Sequence, residues 1–283
     1  MNCLSWNCRG AGNLHTVRDL VALVGAHSPK LVFLCETRQP NHKMMRVCNR
    51  LGLKGFDGVS SQGKSGGLAL YWDESVSVNI EDINERWIDV LVKLSDDEPL
   101  WRVTFVYGEP RVEDRHNMWS LLENLSAQSD LPWLVVGDFN ECMWDFEHFS
   151  MKPRPAGQMQ AFRDVLETSQ LVDLGFVGVP YTYDNKRSGN ANVKVRLDRA
   201  VANPAWRNRF DYSLVQHLTS PCSDHAPLYI ATELLEDQQY KPRIRRYEVM
   251  WEREPALQEV IANAWEAAGQ KGSLGDVHGA LRE

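Results

Sequence analysis

The amino-acid sequence predicts an α/β sandwich, and three observations carry the prediction. Strand-length apolar runs rich in β-formers recur along the chain, segments with a helical apolar stripe lie among them, and several runs follow one another with no helix between. A purely parallel, doubly wound sheet fits poorly, because strands joined without a crossover helix are antiparallel neighbours.

In chain order, Leu4-Ser5-Trp6 is a first short strand closed by Asn7. Val17, Leu20, Val21 and Val24 form an i, i+3, i+4, i+7 stripe that predicts a helix. Leu31 to Cys35 and Leu68 to Trp72 read as strands, Val76 to Ile80 alternates with period two, and so does part of Trp87 to Leu94. With Trp101 to Tyr107 these runs lack helical spacers, which predicts an antiparallel meander. Met118, Leu121, Leu122 and Leu125 mark a second helix, and Leu134 to Val136 a strand that runs into Gly137-Asp138. Met159, Phe162 and Leu166 suggest a helix after the Pro153-Arg154-Pro155 loop, and Pro227 to Thr232 a final strand. The main domain is expected to span residues 1–234. An acidic stretch (Glu233, Glu236, Asp237) and a basic one (Lys241, Arg243, Arg245, Arg246) open a tail, 235–283, with a helical stripe at Leu257, Val260, Ile261 and Ala264. That tail reads as a linker toward something further along a longer polypeptide.

Composition narrows the classes. With 283 residues, 43% hydrophobic and 24% charged, the chain is an ordinary globular protein, not a disordered or fibrous one. Thirty-one basic against 38 acidic residues leave a net charge of −7, so any nucleic acid must be met by a local basic rim. The six cysteines form no C-x-x-C pair and no zinc-ligand spacing, which is expected of reduced thiols in the cytosol or nucleus. No apolar run approaches the roughly 20 residues of a membrane span, and Met1 to Trp6 lacks a signal peptide's character. Neither secretion nor a membrane partner is expected.

One motif misleads. Gly58 to Ser65 matches the phosphate-binding pattern G-x-x-x-x-G-K-[ST], but that pattern needs a helix after it, whose N-terminus receives the phosphate. Here Gly66-Gly67 and the strand Leu68 to Trp72 follow, so the stretch reads as a loop opening a strand.

The informative residues stand where strands end. Asn7, Glu36, Tyr107 and Asp138 each close an apolar run, and Asp224-His225 stands just before the last one. Taken singly, each is the first residue of a loop, a turn former or a satisfied His–carboxylate pair. Together, acids and amides at neighbouring strand ends can meet at one sheet edge, where a hard divalent cation prefers oxygen ligands.

Six ordered segments carry a resemblance. Ser5-Trp6-Asn7-Cys8-Arg9-Gly10, Cys35-Glu36-Thr37, Val106-Tyr107-Gly108, Gly137-Asp138-Phe139-Asn140, Arg196-Leu197-Asp198-Arg199 and Ser223-Asp224-His225-Ala226-Pro227-Leu228 closely resemble the exonuclease–endonuclease–phosphatase superfamily over about residues 2 to 232. The opening segment, Ser65 to Ala69 and Pro180-Tyr181-Thr182-Tyr183 resemble the apurinic-endonuclease-like domain of plant non-LTR retrotransposons, and Arg246 to Trp251 the segment leading to their reverse transcriptase. The resemblance implies a four-layered α/β sandwich, two facing mixed sheets with helices outside, that hydrolyses a DNA phosphodiester. It implies Mg²⁺, with Mn²⁺ able to substitute, at Asn7 and Glu36 with Asp224 beside it. Asp138 would activate water at the end of a buried strand, with no substitute carboxylate expected beside it. Asn140 would orient water and phosphate, His225 would contact the phosphate, Asp198 would hold His225, and Tyr107 would touch the phosphate or leaving group. Arg9 and Thr182 are the substrate-binding candidates. Arg9 stands where repair-type relatives often carry an acid, which leaves the metal fewer carboxylates. The implied partners are target-site DNA, element RNA and a reverse transcriptase of the same polypeptide, in the nucleus. Two other readings stay open: a phosphatase of inositol phosphates or lipid headgroups, although those members carry Cys-Asp-Arg where this chain has Arg196 to Arg199, and a decayed remnant that binds nucleic acid without cutting.

Overall fold

The computed structural model describes residues 1–63, 65–95 and 97–232. The expected boundary at 234, the tail and its helix lie outside the described residues. Along the chain come β1 (Asn2–Asn7), α1 (Leu14–His27), β2 (Leu31–Cys35), α2 (Asn41–Leu51), β3 (Gly55–Val59), β4 (Leu68–Trp72), β5 (Ser77–Ile83), β6 (Trp87–Lys93) and β7 (Trp101–Tyr107). Then follow α3 (Arg115–Ser126), β8 (Trp133–Asp138), β9 (His148–Phe149), α4 (Ala156–Thr168), β10 (Val172–Asp173), β11 (Val177–Gly178) and β12 (Tyr183–Asp184). β13 (Lys194–Val195), β14 (Asp198–Ala202), α5 (Pro204–Arg209), β15 (Leu214–His217) and β16 (Leu228–Ala231) complete the described part. None of the described helices is long and apolar enough to cross a membrane.

The strands form a seven-stranded sheet, β11-β15-β16-β1-β2-β4-β3, a six-stranded sheet, β10-β14-β8-β7-β6-β5, and a small one, β12-β13-β9. Central strands are apolar on both faces, and alternation sorts their side chains. Leu31, Phe33 and Cys35 of β2 join Leu134 and Val136 of β8 in the core between the two large sheets. Val32 and Leu34 face outward onto α1 and α2, through Val17, Leu20, Met44 and Val47. Trp133 and Val135 of β8 face α3 and α4, through Met118, Leu122, Phe162 and Val165. Helices, sheet, sheet, helices: the chain is the four-layered α/β sandwich that the resemblance implies. At about 25 cal/mol per Å² of apolar surface buried, this doubled core is the main stabilising term.

Three expectations change. The antiparallel meander exists as β5-β6-β7, but β4 pairs with β2 and β3 in the other sheet. The Gly58 to Ser65 stretch is no free loop at its start, because Gly58 and Val59 finish β3 before the chain turns into β4. Third, α2 was legible but unread: Met44, Val47, Cys48 and Leu51 are its buried stripe.

Candidate active site

The topology brings the strand-end residues to one edge. β1 and β2 are parallel with Asn7 opposite Cys35, so Glu36 emerges at the same end. β7 and β8 are parallel with Tyr107 opposite Asp138. β14 is antiparallel to β8 and therefore begins where β8 finishes, with Asp198 opposite Asp138. β16, antiparallel to β1, also begins at this end, directly after His225. At Gly137 φ is 149°, and a Cβ there would collide with the Val106 carbonyl oxygen, so β8 closes on β7 only without a side chain. Arg9, Glu36, Arg38 and Asn140 adopt left-handed φ of 51°, 50°, 52° and 55°. Such values are uncommon for non-glycine residues and here mark where each chain turns sharply off its strand.

Asp138 is held from both sides. Its Oδ1 accepts from the Asn140 backbone N–H at 2.9 Å, and its Oδ2 from Asn7 Nδ2 at 2.9 Å. Asn140 is fixed in turn by Nδ2 donating to the Gly108 carbonyl at 2.8 Å, and Arg154 Nη2 donates to the Asn140 carbonyl at 3.0 Å. His225 Nδ1 lies 2.8 Å from Asp198 Oδ2 and 3.8 Å from Asp138 Oδ2. A second carboxylate does stand beside Asp138, contrary to expectation: the antiparallel pairing of β8 with β14 supplies Asp198. Burial opposes charge on His225, but Asp198 and Asp138 outweigh it and raise its pKa to about 9. Burial and then Asp198 raise Asp138 to about 6, against the lowering pull of His225, Asn7 and the Asn140 N–H.

Glu36 is crowded with donors. Oε1 accepts from Tyr107 Oη at 3.0 Å, Asn7 Nδ2 at 3.3 Å and Arg9 Nη1 at 3.3 Å, while Oε2 accepts from Arg38 Nη2 at 2.5 Å. Burial works against its charge, and the Arg38, Arg9 and Asn7 contacts prevail, so its pKa falls below the usual value. Arg9 also places Nε 3.1 Å from Asp224 Oδ1, so one guanidinium spans Glu36 and Asp224.

The structure moves Thr182 out of the substrate-binding role. It is 1% exposed, and its hydroxyl accepts from the backbone N–H groups of Leu197 and Asp198, both at 2.9 Å. It sets the position at which Asp198 enters the site. Its carbonyl accepts from the Ala226 N–H at 2.6 Å, which also ties the His225 loop to it. Other supports escape sequence reasoning. Ser223 Oγ donates to the Asn7 carbonyl at 2.8 Å and accepts from the His225 N–H at 3.0 Å, and Trp6 Nε1 donates to the His225 carbonyl at 3.1 Å. Ser223 and Trp6 lie inside quoted motifs, which was the available signal; nothing in the sequence marks Arg38.

Two groups could hold a cation. Among the described residues, Asp138, Asp198 and His225 bring ligand atoms within 4.8 Å of one another. His225 Nδ1 is already engaged by Asp198, and the raised pKa of the ring favours the imidazolium, which is no ligand. The edge formed by Asn7, Glu36 and Asp224 fits a hard divalent ion better. Its donors are all oxygen, buried Asp224 Oδ1 has the Arg9 ion pair at 3.1 Å but no well-formed hydrogen bond, and Asn7 Oδ1 accepts only a long contact, 3.3 Å from the Arg9 N–H.

The model of the Endonuclease/Exonuclease/phosphatase family matches residues 4–225. The chain belongs to that family. None of the proteins with curated functions matches it by sequence. Among solved structures, the AP endonuclease LMAP from Leishmania major superposes with a TM-score of 0.62 at 16% identity, covering 81% of this chain and 86% of that one. The 3′ phosphatase NExo from Neisseria, bound to a product DNA hairpin, gives 0.61 at 18% identity over 82% of this chain and 99% of its own. The endonuclease domain of TRAS1, a telomere-specific non-LTR retrotransposon, gives 0.59 at 15%, with 83% and 99% covered. At these identities the likeness is one of fold alone.

Proposed function

We propose that this family member is a metal-dependent DNA endonuclease domain of a non-LTR retrotransposon, which nicks a target strand and leaves a 3′-hydroxyl to prime reverse transcription. The observation that carries the hydrolytic reading is the buried Asp138–His225–Asp198 group set beside Glu36. The retrotransposon reading is supported by the Ser5 to Gly10 and Pro180 to Tyr183 segments and by the likeness to the TRAS1 domain. Its partners would be target-site duplex and, on the same polypeptide, element RNA and a reverse transcriptase, acting in the nucleus.

In this reading Asp138 takes the proton of the attacking water. Asn140 and Asn7 fix its two oxygens, so the carboxylate has one orientation, and its raised pKa makes it a stronger base than an ordinary aspartate. A water oxygen–phosphorus bond forms as the bond to the 3′-oxygen breaks. Charge grows on the non-bridging oxygens, where protonated His225, held at Nδ1 by Asp198, offers its other ring nitrogen as donor. Asn7, Glu36 and Asp224 would hold a Mg²⁺ or Mn²⁺ ion, whose positive charge stabilises the phosphate and the leaving oxygen. Tyr107, donating to Glu36, positions that carboxylate. The test reads the product end. Plasmid nicked by the purified chain should be extended by a DNA polymerase without prior phosphatase treatment. A product that needs phosphatase first, or phosphate release from inositol phosphates with no nicking, would overturn the proposal.

A further inference from the structure

We infer that Arg9 is a resident counter-cation of the metal-binding carboxylates: it bridges Glu36 and Asp224, must leave for an ion to bind, and on leaving passes to a phosphate of the DNA. The inference rests on the reading of Asn7, Glu36 and Asp224 as ligands.

Acceptor capacity comes first. A carboxylate offers about four lone-pair directions. Tyr107, Asn7 and Arg9 all donate to Glu36 Oε1, which has about two such directions, so an ion gains a full ligand at that oxygen only if a donor withdraws. Of these, Arg9 is the donor whose position conflicts with an ion. Its guanidinium joins the same two carboxylates the ion would join, whereas Arg38 holds the outer oxygen, Oε2, alone. The Arg9 contacts, 3.3 and 3.1 Å, are also longer than the 2.5 Å of Arg38, and Arg9's side chain is 40% exposed, so it has solvent to move into.

Charge points the same way: a divalent ion added while Arg9 still joins Glu36 and Asp224 would put two cations a few ångströms apart between the same carboxylates. An arginine expelled from two carboxylates is re-stabilised by another anion, and the anion that arrives at this edge is the substrate phosphate. Metal and DNA therefore load together, and the free protein binds metal poorly.

The experiment titrates Mn²⁺ by its electron paramagnetic resonance signal, using the full chain, alone and with a short duplex on ice over a time in which no product forms. Wild type should bind Mn²⁺ weakly alone and at least ~10-fold more tightly with DNA. Arg9→Met should bind Mn²⁺ at least ~10-fold more tightly than wild type without DNA, and its gain from DNA should shrink. Arg9→Lys, which keeps the charge but loses the fork, should fall between. Unchanged Mn²⁺ affinity in a folded Arg9→Met protein, with Glu36→Gln abolishing binding, would overturn the role of Arg9 and leave the ligand reading standing. Unchanged affinity in folded Glu36→Gln would overturn both.

Discussion

Two buried ion clusters flank the start of β14, and they are built from similar residues to opposite effect. In one, Arg196 meets Glu147 at 3.0 Å and Asp173 at 2.8 Å, and Arg199 meets Glu147 at 2.7 Å and pairs with Asp173. Two acids face two arginines, every member is buried or nearly so, and Phe176 and Phe162 lie against the guanidinium groups. In the other, four acids face two arginines and a histidine, Asp224 Oδ1 has the Arg9 ion pair but no well-formed hydrogen bond, and Arg9 is open to solvent. Charge is matched within the balanced cluster, so it fastens β14 to β10 and to the turn before β9. The unbalanced one is under-neutralised and accessible. Burial of charge alone therefore does not mark function in this fold; a charge deficit with an exit does.

The largest effect should come from the unbalanced cluster. Asp138→Asn should cut the nicking rate by about 10²–10⁴-fold while the thermal unfolding midpoint stays near wild type. A near-normal rate would mean that the base is misassigned. The balanced cluster should answer in stability instead. Arg199→Met leaves Glu147 and Asp173 short of a partner and should cost about 3–5 kcal/mol in denaturant unfolding. A milder cost would show that the cluster is not needed to hold β14.

The pH responses separate the two regions further. Burial resists the charge of Asp173, yet Arg199 and Arg196 prevail and lower its pKa to about 2. A depressed carboxylate contributes stability that is present above its ordinary value and lost as pH falls through the folded one. Wild type should thus lose stability between about pH 4 and pH 2, and Arg199→Met should lose less there. The unbalanced cluster should instead shape the rate. Nicking should rise through about pH 6 as Asp138 ionises and fall through about pH 9 as His225 loses its proton. Removing the carboxylate of Asp198 lowers the pKa of His225, so Asp198→Ala should move the alkaline limb to lower pH. Asp198→Ala and His225→Ala should also be strongly non-additive. Multiplying losses with a fixed limb would break the pairing.

How much of this was legible in the sequence differs by residue. Asn7, Glu36, Tyr107 and Asp138 could be read because each ends an apolar run, and parallel pairing carries such ends to one edge. That Asp138 and Asp198 are neighbours could not, since antiparallel register across separate strands leaves no local trace. The sheet to which β4 belongs was hidden for the same reason: an apolar run states that it is buried, not between which strands. Thr182 is a substrate-binding candidate in the sequence, but its partners lie 15 and 16 positions away. The smallest expected effect follows from that role. Thr182→Val keeps the shape, removes the acceptor and leaves two buried N–H groups unpaired at about 1–3 kcal/mol. It should shift the alkaline limb as Asp198→Ala does, more weakly. A stability loss with that limb unmoved would make Thr182 merely structural.

The central claim is that the unbalanced cluster hydrolyses DNA phosphodiesters with a divalent cation, and conversion of supercoiled plasmid to open circle tests it most directly. With Mg²⁺ the purified chain should produce open circles, excess EDTA should stop the reaction, and restored Mg²⁺ should restart it. Nicking that persists undiminished in EDTA, or a folded protein that binds Mn²⁺ and DNA yet leaves the plasmid supercoiled, would contradict the claim.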